Sequence, residues 1–374
     1  MPDKSLTDYF GDMPDPRVQG RCDHLLVDII MIAICAVLAG AEGWEEIEEF
    51  GMTKENWLKA FLALPNGIPS HDTFRRVFSL LDAAAFQERF AAWVEVGLGR
   101  GAAQTIAIDG KSLRGSHAPG KAMLHLVSAW ACENGLVLGQ KKVDGHSNEI
   151  TAIPELLTSL YLSGCIVTID ALGTQKEIAR QIIEAKADYI LALKGNQGQL
   201  YEDVIEWFDW VESQSLQEMP VDTYQQSNKG HGRIETRRCW VIEDEQAFEH
   251  IRHHGGWTGL RSIIKLQRER RIGDDRQQQT AYYISSLPAD AKRIAQAIRA
   301  HWAIETSFHW TLDVTFDEDR ARMRTGDSAE NFAVLRHIAL NLIKRHPAKL
   351  SVKRKRFKAA LDDQFLLELL LSQF

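Results

Sequence analysis

A chain of 374 residues and 42.3 kDa, 45% hydrophobic and 25% charged, can bury the cores of two or three ordinary domains and is neither disordered nor fibrous. Its 44 Lys and Arg stand against 51 Asp and Glu, a formal charge of −7 with a pI near 6.0, which argues against a protein that coats nucleic acid by bulk charge. Five cysteines (Cys22, Cys35, Cys132, Cys165, Cys239) form no Cys-x-x-Cys pair, so neither a zinc ribbon nor a disulfide framework is indicated and a reducing cytoplasm fits best.

The first hundred residues hold 9 basic and 16 acidic side chains, a net of −7, so the whole acidic excess lies there and the remainder is neutral. They read as all-helical. The apolar run from Ile29 to Ala41 is too short to span a bilayer, which needs about 20 apolar residues, and predicts a buried helix. Glu42, Glu45, Glu46, Glu48 and Glu49 around Trp44, Ile47 and Phe50 predict an amphipathic helix with an acidic outer face. Pro69-Ser70-His71-Asp72 supplies turn and N-cap chemistry for a third helix over Thr73–Leu81. That helix suits either a helix-turn-helix, with Arg75 and Arg76 exposed, or a dimerisation cap. The acidic excess favours the cap.

From Thr105 the pattern changes to short apolar strands, TIAIDG, LHLVSAWA, LVLGQKKV, CIVTIDA and DYILALKG, with helical stretches at Glu149–Leu160 and Gln175–Ala187. Three strands in succession, then helix, strand, helix, strand, predict an α/β fold with a mixed sheet and helices on its faces. After Leu200 the alternation breaks off, and IETRRCWVI, LRSIIKLQRE and TAYYISSL predict a β-rich insertion over about 200–287. A long helix then starts near Pro288 or Ala289. Residues Arg320 to Lys358 carry 12 basic side chains against Asp327 and Glu330, a local net of +10 that includes Lys353, Arg354, Lys355 and Arg356.

Two strands end alike, in Ile106-Ala-Ile-Asp109-Gly110-Lys111 and Ile166-Val-Thr-Ile-Asp170. An acid directly after an apolar strand sits at the carboxyl edge of an open sheet, where such sheets bind ligands. If the strands are neighbours the two carboxylates repel, and a hard divalent cation relieves that repulsion. Equally, Asp109-Gly110 can be a plain turn and Asp170 a local cap. Glu305 lies within the long helix among aromatic residues, with His301 and His309 four residues to either side. A carboxylate there is costly unless exposed or bound.

The series AIDGKSLRGS, SNEITAIPELL, TIDALGTQKEIA, DYILALKGNQ, Lys229-Gly-His231-Gly-Arg233-Ile-Glu235, AIRAHWAIETSFHWTLDVTFDED and LRHIALNL resembles the insertion-sequence transposases of the DDE class, nearest the H-repeat-associated group found beside Rhs elements. The resemblance covers nearly the whole chain. It implies a ribonuclease-H-like catalytic core with a β-rich insertion over residues 101–345, after an all-helical domain at 1–100 and before a basic tail at 346–374. It further implies Asp109, Asp170 and Glu305 as a catalytic and metal-binding triad holding two Mg²⁺ or Mn²⁺ ions. Related transposases often place Tyr, Arg and Lys around the Glu; here Ile298, His301 and Leu312 stand there. His301, His309 and Trp310 are the candidates for equivalent DNA contacts, with Lys111, Lys194, Asn196, Arg233 and Lys353–Arg356.

The resemblance implies a cytoplasmic, nucleoid-associated homo-oligomer acting on the double-stranded DNA of element ends and targets, with no membrane partner. Two other readings compete. A haloacid-dehalogenase-like phosphatase would need a second Asp two residues after Asp109, where Lys111 stands. A transposase relic would bind DNA without cutting it.

Overall fold

The computed structural model describes residues 5–18, 20–98, 104–117, 122–143, 148–214, 221–230, 232–251 and 255–372; His231 of the sequence motif lies outside them. Six helices come first: α1 (Leu6–Phe10), α2 (Leu26–Ala39), α3 (Trp44–Thr53), α4 (Glu55–Leu58), α5 (His71–Leu80) and α6 (Ala83–Leu98). Then follow β1 (Thr105–Leu113), β2 (Leu124–Ala131), β3 (Leu136–Val143), α7 (Glu149–Thr158), β4 (Ile166–Ile169), α8 (Lys176–Glu184), β5 (Asp188–Leu193) and α9 (Gln199–Ser213). The remainder is β6 (Val221–Gly230), β7 (Arg233–Ile242), α10 (Glu245–His250), β8 (Ser262–Ile272), β9 (Asp275–Ser285), α11 (Ala291–His301), α12 (Trp310–Thr315), α13 (Ser328–Arg345), α14 (Val352–Leu361) and α15 (Asp363–Leu371). A π-helical turn, Ile304–His309, joins α11 to α12. Among the described residues no single helix is long and apolar enough to cross a membrane.

Two compact units divide the chain. The first comprises Met1–Arg100, Gly110–Asn148 and Glu305–Phe374; the second comprises Gly101–Asp109 and Glu149–Ile304. In the first unit the apolar helix α2 is buried along its length and ends at Gly40, whose φ of +117° suits only glycine and whose N–H donates to the carbonyls of Ala36 and Val37. Helix α13 packs against α2, α5, α6 and β3. The acidic helix α3 docks by one face: Trp44 stacks on Phe78 at 5.2 Å and meets Phe332 edge-on at 5.0 Å, while Glu45, Glu46 and Glu49 face outward. Ser70 caps α5 by accepting from the Thr73 N–H. The strand order here is β3-β2-β1, with β2 and β3 antiparallel.

In the second unit the order is β1-β4-β5-β9-β8-β7-β6. Strands β1, β4 and β5 run parallel, and β9, β8, β7 and β6 continue the sheet antiparallel from β5. Helix α11 is amphipathic: Ala291, Ile294, Ala297 and Ile298 recur at helical spacing and pack on Ile166, Ile190, Val241 and Ile264 of the strands.

Three local expectations are corrected. The strand–helix alternation does not stop at Leu200, because Leu200, Val204, Trp207, Phe208 and Val211 form the buried face of α9 before the antiparallel strands begin. Asp109-Gly110 is not a turn, nor is Asp109 at a strand end: β1 runs on to Leu113. The helix expected from Pro288 starts at Ala291 behind the Asp290 cap, and a π-helical turn interrupts it at Ile304.

Candidate active site

Strands β1 and β4 pair in parallel register from Thr105↔Ile166 to Ile108↔Ile169, so the next residue along each is an acid, Asp109 within β1 and Asp170 directly after the end of β4. Both belong to the second unit and both are half-buried. The parallel pairing ends there although β1 continues to Leu113, so Asp109 and Asp170 stand at the point where the two strands part.

The loop after Asp170 is held tightly. Asp170 Oδ1 accepts from the Leu172 N–H at 3.1 Å and the Gly173 N–H at 3.3 Å. Thr174 Oγ1 donates to Ala192 O at 2.7 Å, and Asn196 Nδ2 and Gln197 Nε2 each donate to Ala171 O at 2.8 Å. Gly173 is closely packed, and a Cβ there would force the side chains of Ile169 and Ile153 to shift. Asn196, a candidate phosphate contact by sequence, thus spends its amide on this loop. Lys194 beside it is exposed.

His301, at the end of α11, shares a 2.9 Å hydrogen bond between its Nδ1 and Thr168 Oγ1, two residues before Asp170 on β4. Burial pushes the His301 pKa down, and the charge of Asp170 offsets part of that. Glu305 is exposed and opens the last segment of the first unit within the π-helical turn, a rare conformation often found at functional sites.

Residues 100–342 match the family described as "Transposase DDE domain", and residues 7–94 match the one described as "DDE_Tnp_1-associated". The chain belongs to the DDE transposase family. It is 43% identical over 375 residues to "Putative transposase YncI" of Escherichia coli O157:H7, covering 99% of this chain and 95% of that one. It is 40% identical over 374 residues to "H repeat-associated putative transposase YhhI" of Escherichia coli strain K12, covering 98% of each. A solved piggyBac transposase synaptic complex with hairpin DNA covers 97% of this chain and 77% of its own at 10% identity and a TM-score of 0.44, too loose a likeness to carry fold or function.

In this DDE-family chain the remaining candidates separate by environment. Trp310 is 57% exposed and Arg233 is exposed where β7 begins. His309 is largely enclosed beside Phe308, at 5.0 Å between rings, and burial together with the Lys111 charge pulls its pKa down to about 4. Lys353 and Arg354 are exposed on α14. Lys355 and Arg356 are corrected as DNA contacts, because both are 5% exposed and used inside the fold. Lys355 Nζ donates to Ile343 O and His346 O at 2.8 and 2.7 Å; the Arg356 guanidinium donates to Val37 O at 3.2 Å and to Thr315 O.

The Lys111 ammonium, a candidate phosphate contact by sequence, donates to Asp313 and, at 2.7 Å, to Glu318 Oε2. Asp313, Glu318, Arg336 and Thr168 carried no signal as single residues. The run TLDVTFDED in the family motif was the available pointer to the first two. Among the described residues no group of three or more His, Cys, Asp or Glu is gathered as a metal site.

Proposed function

We propose that this chain is a DNA transposase with a ribonuclease-H-like core that hydrolyses phosphodiester bonds at the ends of an insertion element and joins the freed strand to target DNA. Asp109, Asp170 and Glu305 are the catalytic acids. The observation that carries this reading is the parallel register that makes Asp109 and Asp170 adjacent at the point where β1 and β4 separate. Membership of the DDE transposase family and the exposed carboxylate of Glu305 support it.

The donor set suits a hard divalent cation, since neighbouring carboxylates present only oxygen. Bound Mg²⁺ or Mn²⁺, as two ions, would activate the attacking oxygen and stabilise the leaving oxygen of an in-line displacement. The protein's own part is positional. Asp109 stands within β1 and Asp170 directly after β4, and the Leu172 and Gly173 N–H groups orient the Asp170 carboxylate. Water is the first nucleophile and the released 3′-hydroxyl the second, so no covalent enzyme intermediate is required. Joining two element ends calls for a homo-oligomer, working in the cytoplasm at the nucleoid.

Asp109→Asn, Asp170→Asn and Glu305→Gln should each abolish Mg²⁺-dependent nicking of a duplex carrying the flanking inverted repeats while retaining DNA binding. Full nicking by Asp170→Asn overturns the assignment. A second reading, a relic that binds DNA without cutting it, draws on the 47% identity over 76 residues to "Inactive transposase YbfQ" of Escherichia coli strain K12, which covers 20% of this chain. Binding by the wild-type chain with no metal-dependent nicking would favour it.

A further inference from the structure

Lys111 follows Asp109 by two positions on β1, and alternate residues of a strand leave from the same face. A free ammonium there would repel any divalent cation that Asp109 holds. The fold disposes of that charge. The Lys111 side chain is 13% exposed and is paired with Asp313 and with Glu318, whose side chain is 2% exposed. The second oxygen of Glu318 lies 3.6 Å from Arg336 Nη1, also 2% exposed, and the Arg336 guanidinium sits over the Phe332 ring at 4.4 Å. Two cations and two carboxylates thus form a set with no net charge, enclosed except for Asp313, which is 33% exposed.

The same two stretches of chain meet again just beyond. Arg114 Nε lies 3.4 Å from Asp319 Oδ2, and Arg324 Nε donates to Gly115 O at 3.3 Å. A Cβ on Gly115 would overlap the carbonyl of Ala321. Residues 111–115, directly after Asp109, are therefore clamped within the first unit to residues 313–324, which follow Glu305.

We propose that Lys111 is a positioning residue of the active site and not a DNA contact: with Asp313 and Glu318 it clamps the strand just past Asp109 to the chain that follows Glu305, and so holds Asp109 fit to bind a divalent cation. This rests on the assignment of Asp109, Asp170 and Glu305 above. Groups that orient metal-binding side chains typically change metal affinity or activity 10–100-fold when removed.

The test uses the full chain and reads Mn²⁺ binding without DNA, nicking rate, and the salt dependence of DNA affinity. Lys111→Met should weaken Mn²⁺ binding and slow nicking each by about tenfold or more, with the salt dependence unchanged, and Lys111→Arg should recover most of both. Should Lys111→Met fail to fold, the pair Lys111→Met with Asp313→Asn removes one cation and one anion while keeping Glu318 opposite Arg336, and should show the same Mn²⁺ loss. Wild-type Mn²⁺ binding in folded Lys111→Met, or in the folded pair, overturns the proposal. So does a salt slope reduced by about one, the mark of a lost phosphate contact. Asp170→Asn is the reference. If it binds Mn²⁺ normally the triad itself fails and takes this inference with it; if it loses Mn²⁺ while Lys111→Met keeps it, the clamp alone fails.

Discussion

The side-chain amide of Asn341 pairs with both backbone groups of Val137: Oδ1 accepts from the Val137 N–H and Nδ2 donates to the Val137 carbonyl, each at 2.9 Å. Both residues are fully buried, and β3, which carries Val137, ends the strand order of the first unit. One residue of α13 thereby stands in for the missing neighbouring strand and closes the sheet edge. Asn341→Leu keeps the volume but leaves a buried N–H and a buried C=O unpaired, at about 1–3 kcal/mol for each such group. Urea unfolding should show a loss of about 2–6 kcal/mol, and a loss below about 1 kcal/mol would mean that the edge is satisfied in some other way.

His337 and His309 give the first unit a predictable response to acid. Burial, with the charges of Arg336, Lys111 and His309 against that of Glu318, pulls the His337 pKa down to about 3; burial and Lys111 bring His309 to about 4. Both stay neutral in the fold, whereas the unfolded chain takes up a proton on each near pH 6.5. The unfolded state therefore binds more protons below that pH. The stabilisation is full above about 6.5 and is lost as pH falls toward 4, at about 1.4 kcal/mol per pH unit for each histidine. Unfolding of the wild type and His337→Leu compared at pH 7, 6 and 5 checks this, with the shallower slope expected in the variant. Equal slopes would contradict it.

How far these features could be read beforehand follows from their range. The buried helix α2, the acidic face of α3 and the strands β1 to β5 are written in local periodicity, which burial enforces residue by residue. The pairing of Asp109 with Asp170 needed only that two similar strands be neighbours. Lys111 and Glu318, in contrast, are 207 residues apart, and nothing local marks them as partners. Gly110 looked like the end of a strand because glycine usually punctuates one, yet the strand passes through it. Helix α9 carries its apolar residues at helical spacing, Leu200, Val204, Trp207, Phe208 and Val211, but the β-like runs that follow it hide it in a reading by segment.

Gly115 offers a test of the clamp that changes no charge. A methyl group there meets the Ala321 carbonyl, a backbone atom that cannot swing aside, whereas one on Gly230 at the β6–β7 turn meets nothing within 4 Å. Overpacking of this kind typically costs about 1–3 kcal/mol. Gly115→Ala should lower stability by about that amount and reduce nicking, while Gly230→Ala should leave both unchanged. Equal behaviour of the two variants in thermal unfolding and nicking would show that the approach of Gly115 to Ala321 is not a constraint.

The run Lys353-Arg354-Lys355-Arg356 looks uniform in sequence, but one helical turn divides it in two. Lys353, Arg354, Phe357 and Lys358 face outward on α14, while Lys355 and Arg356 turn inward. Arg356 stacks on Phe316, with 4.2 Å from guanidinium to ring centroid, and satisfies the carbonyls of Val37 and Thr315; burial lowers its pKa to about 10. Removing it leaves buried acceptors unpaired, so Arg356→Ala should cost about 2–5 kcal/mol of stability. Lys353→Ala with Arg354→Ala should cost almost no stability and should act on DNA instead. If both side chains touch phosphates, the slope of log affinity against log salt falls by about two, since each contact contributes about 0.9. An unchanged slope would remove α14 from the DNA-binding surface, and full stability of Arg356→Ala would remove Arg356 from the framework.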